Sequence, residues 1–342
     1  MDRLLTERGM RIAALLLGLV AALYGLAVVF YGDVLFPAVA PRATRLANYF
    51  YTLLPFLSLV GAALALRLPG AASLFLFVSA GGWLAMGVVL DYGLAVTILP
   101  LLLSIIAAGF AFAVAGPLEV VYSTDRINTW IGKLFAISVV ILTVAVCYEV
   151  FMRYVLRAPT RWGYDVGYML YGAGFLMAGA YALSQAAHVR ADVIYRFWPQ
   201  RVQASVDLVL FLLFYFPAAF FFIYSGFFFA ERSWAMREFS SASPFNIPVY
   251  HFKTLLPIAG VLLFMQGLSE LLRCAICLRD GQWPPRLSDV EEIEKQAMVG
   301  RRPIVAGLAP QFDDEDDRET DTPMRERPGP GPGPQERPGD DR

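Results

Sequence analysis

The sequence predicts an all-α polytopic membrane protein, and three observations carry that expectation. Apolar residues make up 57% of the 342-residue chain, and its mean hydropathy is +0.54. Charged residues make up only 17%, against about 25% in soluble domains. The apolar residues gather into runs of about twenty, long enough to cross a hydrocarbon core of roughly 30 Å as helices. Helices close their own backbone hydrogen bonds in lipid, and the sequence lacks the strand-length alternation of outer-membrane barrels.

Eight such runs follow one another, near 11–31, 46–66, 72–90, 93–115, 130–152, 163–186, 204–229 and 254–273. Arg3, Arg8 and Arg11 precede the first run, as in a signal peptide. That run exceeds the roughly 7–15 residues of a cleavable core, and its A-x-A site, Ala38–Ala40, is followed by Pro41. It reads as a retained anchor.

Short, weakly charged loops join the first four runs into an N-terminal extension, residues 1–118. Residues 119–280 hold four more spans, separated by longer connections rich in Arg, Trp and Pro. In the sixth run Gly174, Ala178 and Ala182 recur every four residues, a stripe that lets another helix approach closely, whether internal or from a second protein. The seventh run, mostly aromatic over 211–229, reads as lipid-facing bulk with a kink at Pro217. Trp130, Trp162, Trp198 and Trp234 fall near span ends, the headgroup level favoured by amphipathic rings.

Residues 281–342 change character. Ser288-Asp-Val-Glu291 resembles a capping box opening a short helix over 289–299. The acidic run DDEDD and the repeat PGPGPGP come next; they bury nothing and read as a disordered tail.

An even number of spans puts both termini on one side. With the N-terminus inside, the inner segments carry eleven Arg and the outer loops eight Arg or Lys. The excess favours cytoplasmic termini.

Ionisable residues at membrane depth mark solute and ion paths, because a charge there costs at least about 2.5–3.5 kcal/mol. The spans carry almost none. Glu149, the deepest, has Arg153 four residues later, and Glu270 has Arg273 three later; such pairs explain themselves. Both histidines, His188 and His251, lie in connections, and Cys274-Ala-Ile-Cys277 lacks the further ligands of a zinc site. No phosphate-binding loop, metalloprotease motif or catalytic triad is visible. The chain is expected to be no enzyme, to hold no cofactor or metal, and to have the lipid bilayer rather than nucleic acid as its surroundings.

One polar stretch, residues 184–201, interrupts the oily sequence. Val193, Ile194, Phe197 and Trp198 share one helical face, and Asp192, Arg196 and Gln200 another, before Pro199 ends or bends the helix. A short two-faced helix of this kind lies along a membrane surface. Asp192 and Arg196 can pair at i,i+4.

At this point four features, in order, resemble a known family. Arg153-Tyr154 ends the fifth span. A short loop then leads to Trp162 and the acidic Asp165. The sequence H-V-R-A-D, His188 to Asp192, is similar to the pattern [EH]-x-R-x-D. Last, Ser243-Pro244-Phe-Asn-Ile247-Pro248 precedes a final span whose Pro257-Ile-Ala-Gly260 is similar to P-x-G. In this order and placement, residues 127–275 resemble the small membrane subunit (DctQ type) of tripartite ATP-independent periplasmic (TRAP) transporters. The departures are Gly163-Tyr164 standing before a single acid, Ala191 in place of the commoner Val, and the four extra N-terminal spans.

The resemblance implies a non-catalytic scaffold. It would brace a large transport subunit (DctM type), which imports an organic acid anion by sodium symport from a periplasmic substrate-binding protein. It further implies an outer-side partner cluster of Arg153, Tyr154, Arg157, Trp162 and Asp165, stiffened by Pro244 and Pro248. An inner-side cluster would comprise His188, Arg190, Asp192 and Arg196. A self-sufficient transporter, or an assembly or sensor protein using residues 1–118, remains the alternative.

Overall fold

A computed structural model describes residues 2–35, 45–88, 94–185, 195, 197–241, 246–287 and 289, all within one compact unit, Met1–Val290. The expected short helix over 289–299 and disordered tail therefore lie almost wholly outside the described residues.

Among the described residues the regular structure is helical, apart from one isolated bridge between Phe239 and Pro248. The helices are α1 (Asp2–Leu35), α2 (Arg45–Leu64), α3 (Pro69–Val88), α4 (Leu94–Tyr154), α5 (Gly163–Ser184), α6 (Gln200–Leu210), α7 (Phe216–Met236), α8 (Tyr250–Lys253) and α9 (Leu255–Asp280). A π-helical turn, Phe211–Tyr215, joins α6 to α7. It ends two residues before Pro217, where the sequence predicts a kink. Proline cannot donate to the previous turn, and a π-turn is one way a helix absorbs that loss.

Six described helical segments are long and apolar enough to cross a membrane: Leu5–Tyr31, Pro69–Val88, Val96–Tyr154, Gly163–Ser184, Gln200–Met236 and Tyr250–Asp280. Tyr49–Leu64 is a shorter apolar helix. The difference from eight separate runs has a physical cause in α4, whose 61 residues absorb both the fourth and fifth runs. Gly116 alone breaks it, at φ 74 and ψ 167, a conformation open to glycine and little else. Pro117 follows at the start of the next helical segment, where its missing N–H costs nothing. The helix therefore restarts at once, and residues 119–129, read as a polar connection, are helical.

Packing in the N-terminal region is tight. Val28, Tyr51, Leu54, Trp83, Met86 and Val96 bring α1 to α4 together in one cluster. Leu76 meets Ala107 and Ala108 in another. Ser79 donates to Leu54 O (3.0 Å) and its hydroxyl lies 2.7 Å from that of Ser58, so these buried polar groups are satisfied between helices. Leu74 of α3, Val120 of α4 and Met265 of α9 form a shared cluster, and Phe50 of α2 meets Phe227 of α7 (5.7 Å). The extension is thus packed against the later helices.

Glycines set two further antiparallel pairs. A Cβ on Gly132 of α4 would lie 2.6 Å from Tyr181 of α5, and one on Gly267 of α9 would lie 2.3 Å from the ring of Tyr215. The Tyr215 hydroxyl donates to Leu263 O (2.8 Å). Much of the exterior is apolar: Val140, Val144, Phe175, Phe214 and Phe221 are each more than 60% exposed, as lipid or a membrane partner requires.

Candidate functional site: two polar clusters at opposite ends of the bundle

The start of α5 meets the loop between α7 and α8, and the end of α4 holds the connection that leads into α5. Glu149 lies near the last turn of α4, and its carboxylate accepts from Arg153 Nη2 (2.8 Å), from the Thr160 backbone N–H (3.1 Å) and from the Thr160 hydroxyl. The 154–163 connection is thereby folded back on α4. Trp162 stacks on Tyr148 (6.1 Å). Asp165, in the first turn of α5, is fully buried and accepts from Ser240 Oγ (2.7 Å). Ser240 N–H donates to Ile247 O (2.8 Å) and Val249 N–H to Glu238 O (3.0 Å), closing a hairpin.

Glu238 also pairs with Lys253, which sits over the Phe229 ring at 4.1 Å. The Lys253 ammonium, and after it the Ser233 hydroxyl, hold the Glu238 carboxyl below its ordinary value. Trp234 Nε1 donates to Thr254 Oγ1 (2.8 Å).

Of the outer-side residues singled out in the sequence, Arg153, Tyr154 and Arg157 are exposed here and Trp162 half-buried. Arg157 holds a left-handed backbone, φ 51. Asp165, the remaining member of that set, is turned inward; burial in the first turn of a helix is tolerable when a hydroxyl and the helix dipole answer its charge. Pro248 carries the bridge to Phe239; Pro244 lies outside the described residues. Gly174 is placed against α4, where an added Cβ would lie 2.6 Å from Ser138 Oγ, so the neighbour it admits is internal. Ala178 and Ala182 are half-buried.

The opposite end holds what the sequence did not disclose. His188, Arg190, Asp192 and Arg196 lie outside the described residues, as does most of the expected surface helix. Of that stretch Phe197 is 85% exposed, and α6 starts directly after Pro199. Tyr195 donates through its hydroxyl to Asp207 Oδ2 (2.7 Å), and Gln203 Nε2 donates to Trp198 O (2.9 Å).

Inside this end a buried network joins α4 to α9. Asn128 Nδ2 donates to Gln266 Oε1 (2.7 Å), Gln266 Nε2 donates to Asp125 Oδ1 (2.9 Å), and Arg273 Nη2 is paired with Asp125 Oδ2. Arg273 Nε stands 3.6 Å from Glu270 Oε1, an ion contact longer than a hydrogen bond. Arg286 grips both oxygens of Glu270, at 3.0 and 3.1 Å. Asp125, Glu270 and Arg273 are each at most 2% exposed.

The expectation of spans almost free of buried charge is therefore corrected. Asp125 stands in a stretch read as a loop, and Glu270–Arg273 is part of a larger set rather than a local pair. A signal was available: Asp125 and Asn128 at i,i+3, and Gln266, Glu270 and Arg273 at i,i+4,i+7, each mark one helix face.

Cys274 and Cys277 are buried and Cys147 is exposed, and none of the three is in a disulfide. Among the described residues no group of three His, Cys, Asp or Glu side chains is placed to hold a metal ion. Each of these clusters pairs carboxylates with cations or hydroxyls, which suits holding helices in place.

Residues 142–276 match the family model for tripartite ATP-independent periplasmic transporters, DctQ component. The match runs from within α4 to within α9, well under half of the chain. It bears out the resemblance read over residues 127–275. No curated protein and no solved structure matches the chain.

Proposed function

We propose that the chain is the small, non-catalytic membrane subunit of a TRAP transporter, and that it braces a large DctM-type subunit through which the solute moves. The observation that carries this reading is the family match over residues 142–276. It is supported by a bundle that carries ion-paired clusters at its two ends and whose exterior is broadly apolar. Holding a neighbour in the bilayer needs an apolar exterior and rigid helix ends.

In this reading the protein spans a bacterial inner membrane with both termini cytoplasmic, and the Tyr154 end faces outward. Arg153, Tyr154 and Arg157, exposed there, would meet the large subunit or the periplasmic substrate-binding protein, while Asp165 and Pro248 hold the loop behind them. His188, Arg190, Asp192 and Arg196 would act at the cytoplasmic side. The transported solute would be an organic acid anion, driven by sodium symport.

Vesicle reconstitution tests this. Sodium-dependent accumulation of an organic anion is expected when this chain, a large DctM-type subunit and a binding protein are present together. None is expected when the chain is the sole protein. Accumulation by the chain alone would sink the scaffold reading in favour of a self-sufficient transporter.

A further inference from the structure

The last described stretch folds back on the bundle it has just left. α9 ends at Asp280, and Gly281 turns the chain at φ 81. Pro285 O then accepts from Tyr122 Oη (3.2 Å) and Arg273 Nη1 (3.4 Å). The next residue, Arg286, sends its guanidinium inward to Glu270 and also donates from Nη1 to Ser184 O (2.7 Å). Ser184 is the last residue of α5, so Arg286 holds the position where a cation favours a helix C-terminus. Its own backbone N–H is taken by Asp289 Oδ2 (3.0 Å).

The buried network is electrically closed only with Arg286 in place. Asp125 and Glu270 each bring a negative charge, and Arg273 and Arg286 each a positive one. Arg273 is engaged with Asp125 and reaches Glu270 only at 3.6 Å. The close partner of Glu270 is therefore residue 286, which lies beyond the end of the family match at 276. A buried carboxylate stripped of its partner is strongly disfavoured.

We infer that residues 281–287 form a latch, with Arg286 as a positioning residue that ties the C-terminal end of α5 to α9. The tie fixes the last turn of α5 against the turn that follows α9. This stands independently of the transporter reading.

Limited trypsin digestion of the full chain in lipid nanodiscs, scored at the exposed Arg279 just before the turn at Gly281, reads that tie. Arg286→Gln is expected to speed cleavage there about ten-fold or more. Arg286→Lys keeps the charge but not the planar fork, and is expected to give a smaller, few-fold rise. In Glu270→Gln/Arg286→Gln the buried charge imbalance is gone but so is the cationic tie to Ser184; thermal stability should recover while cleavage stays fast. Leu76→Ala, a cavity variant in the N-terminal packing, should lower the melting temperature and leave the cleavage rate unchanged. Wild-type cleavage in Arg286→Gln, or an equal acceleration in Leu76→Ala, would overturn the latch.

Discussion

Ser240 donates a hydrogen bond to the fully buried carboxylate of Asp165 across 2.7 Å, although the two residues stand 75 positions apart. Asp165 lies in the first turn of α5, where the helix dipole favours an anion. Ser240 belongs to the hairpin between α7 and α8. The bond ties an outlying loop to a span.

A hydrogen bond to a charged group contributes about 1.5–3 kcal/mol, and a buried charge that loses a donor pays its desolvation in full. Ser240→Ala and Asp165→Ala should each lower stability by about that amount, and the double variant by much less than the sum. Thermal unfolding of the purified protein in detergent checks this. Strictly additive losses would mean that the two residues act separately.

The pairing of Glu238 with Lys253 makes the same hairpin sensitive to acid. The carboxyl is held below its ordinary value of 4.5 by the Lys253 ammonium first and the Ser233 hydroxyl second. A depressed carboxyl contributes stability that is present above its unfolded value and lost as pH falls through the folded one. Wild type should therefore exceed Glu238→Gln in melting temperature at pH 7, and the gap should close below pH 4.5. Because Glu238 is partly exposed, the gap will be modest and will shrink in high salt. A gap that persists unchanged at pH 3 would rule the ion pair out as its source.

These pairings differ in how far the sequence discloses them. Run length and composition locate the spans closely: the sixth was read at 163–186 and α5 is Gly163–Ser184. Glu149 and Arg153 are one helical turn apart, so their bond follows from spacing alone. Asp125 and Arg273 are 148 positions apart, and no local rule connects them. Gly116-Pro117 misleads for another reason. The dipeptide signals a loop, yet glycine turns the chain in a single residue and proline starts the next helix without delay.

Gly116 offers a test of that break. An added Cβ would meet no atom within 4 Å, so any penalty must come from the backbone at φ 74, ψ 167. Conformations of this kind cost a side-chain-bearing residue about 1–3 kcal/mol. Gly116→Ala should lose roughly that much in thermal unfolding, whereas Gly109→Ala, equally free of steric contact but without the unusual backbone, should be neutral or slightly stabilising. Equal effects at both positions would show that the break at 116 is not maintained by its backbone geometry.

The buried network gives the largest expected effect. Asp125→Ala would leave the Arg273 guanidinium buried, with Glu270 at 3.6 Å and Pro285 O at 3.4 Å. Arg273→Met would leave Asp125 with the Gln266 amide as a neutral donor at 2.9 Å. Removing one partner of a buried pair costs about 3–5 kcal/mol, while replacing both by apolar groups can be near neutral. Asp125→Ala/Arg273→Met keeps the Glu270–Arg286 pair and removes one charge of each sign. It should therefore be more stable than either single variant. Survival of folded protein after heating, followed by size exclusion in detergent, ranks the three. If the double variant is the least stable, the network contributes by packing rather than by charge, because a large side chain would then matter more than the balance it completes.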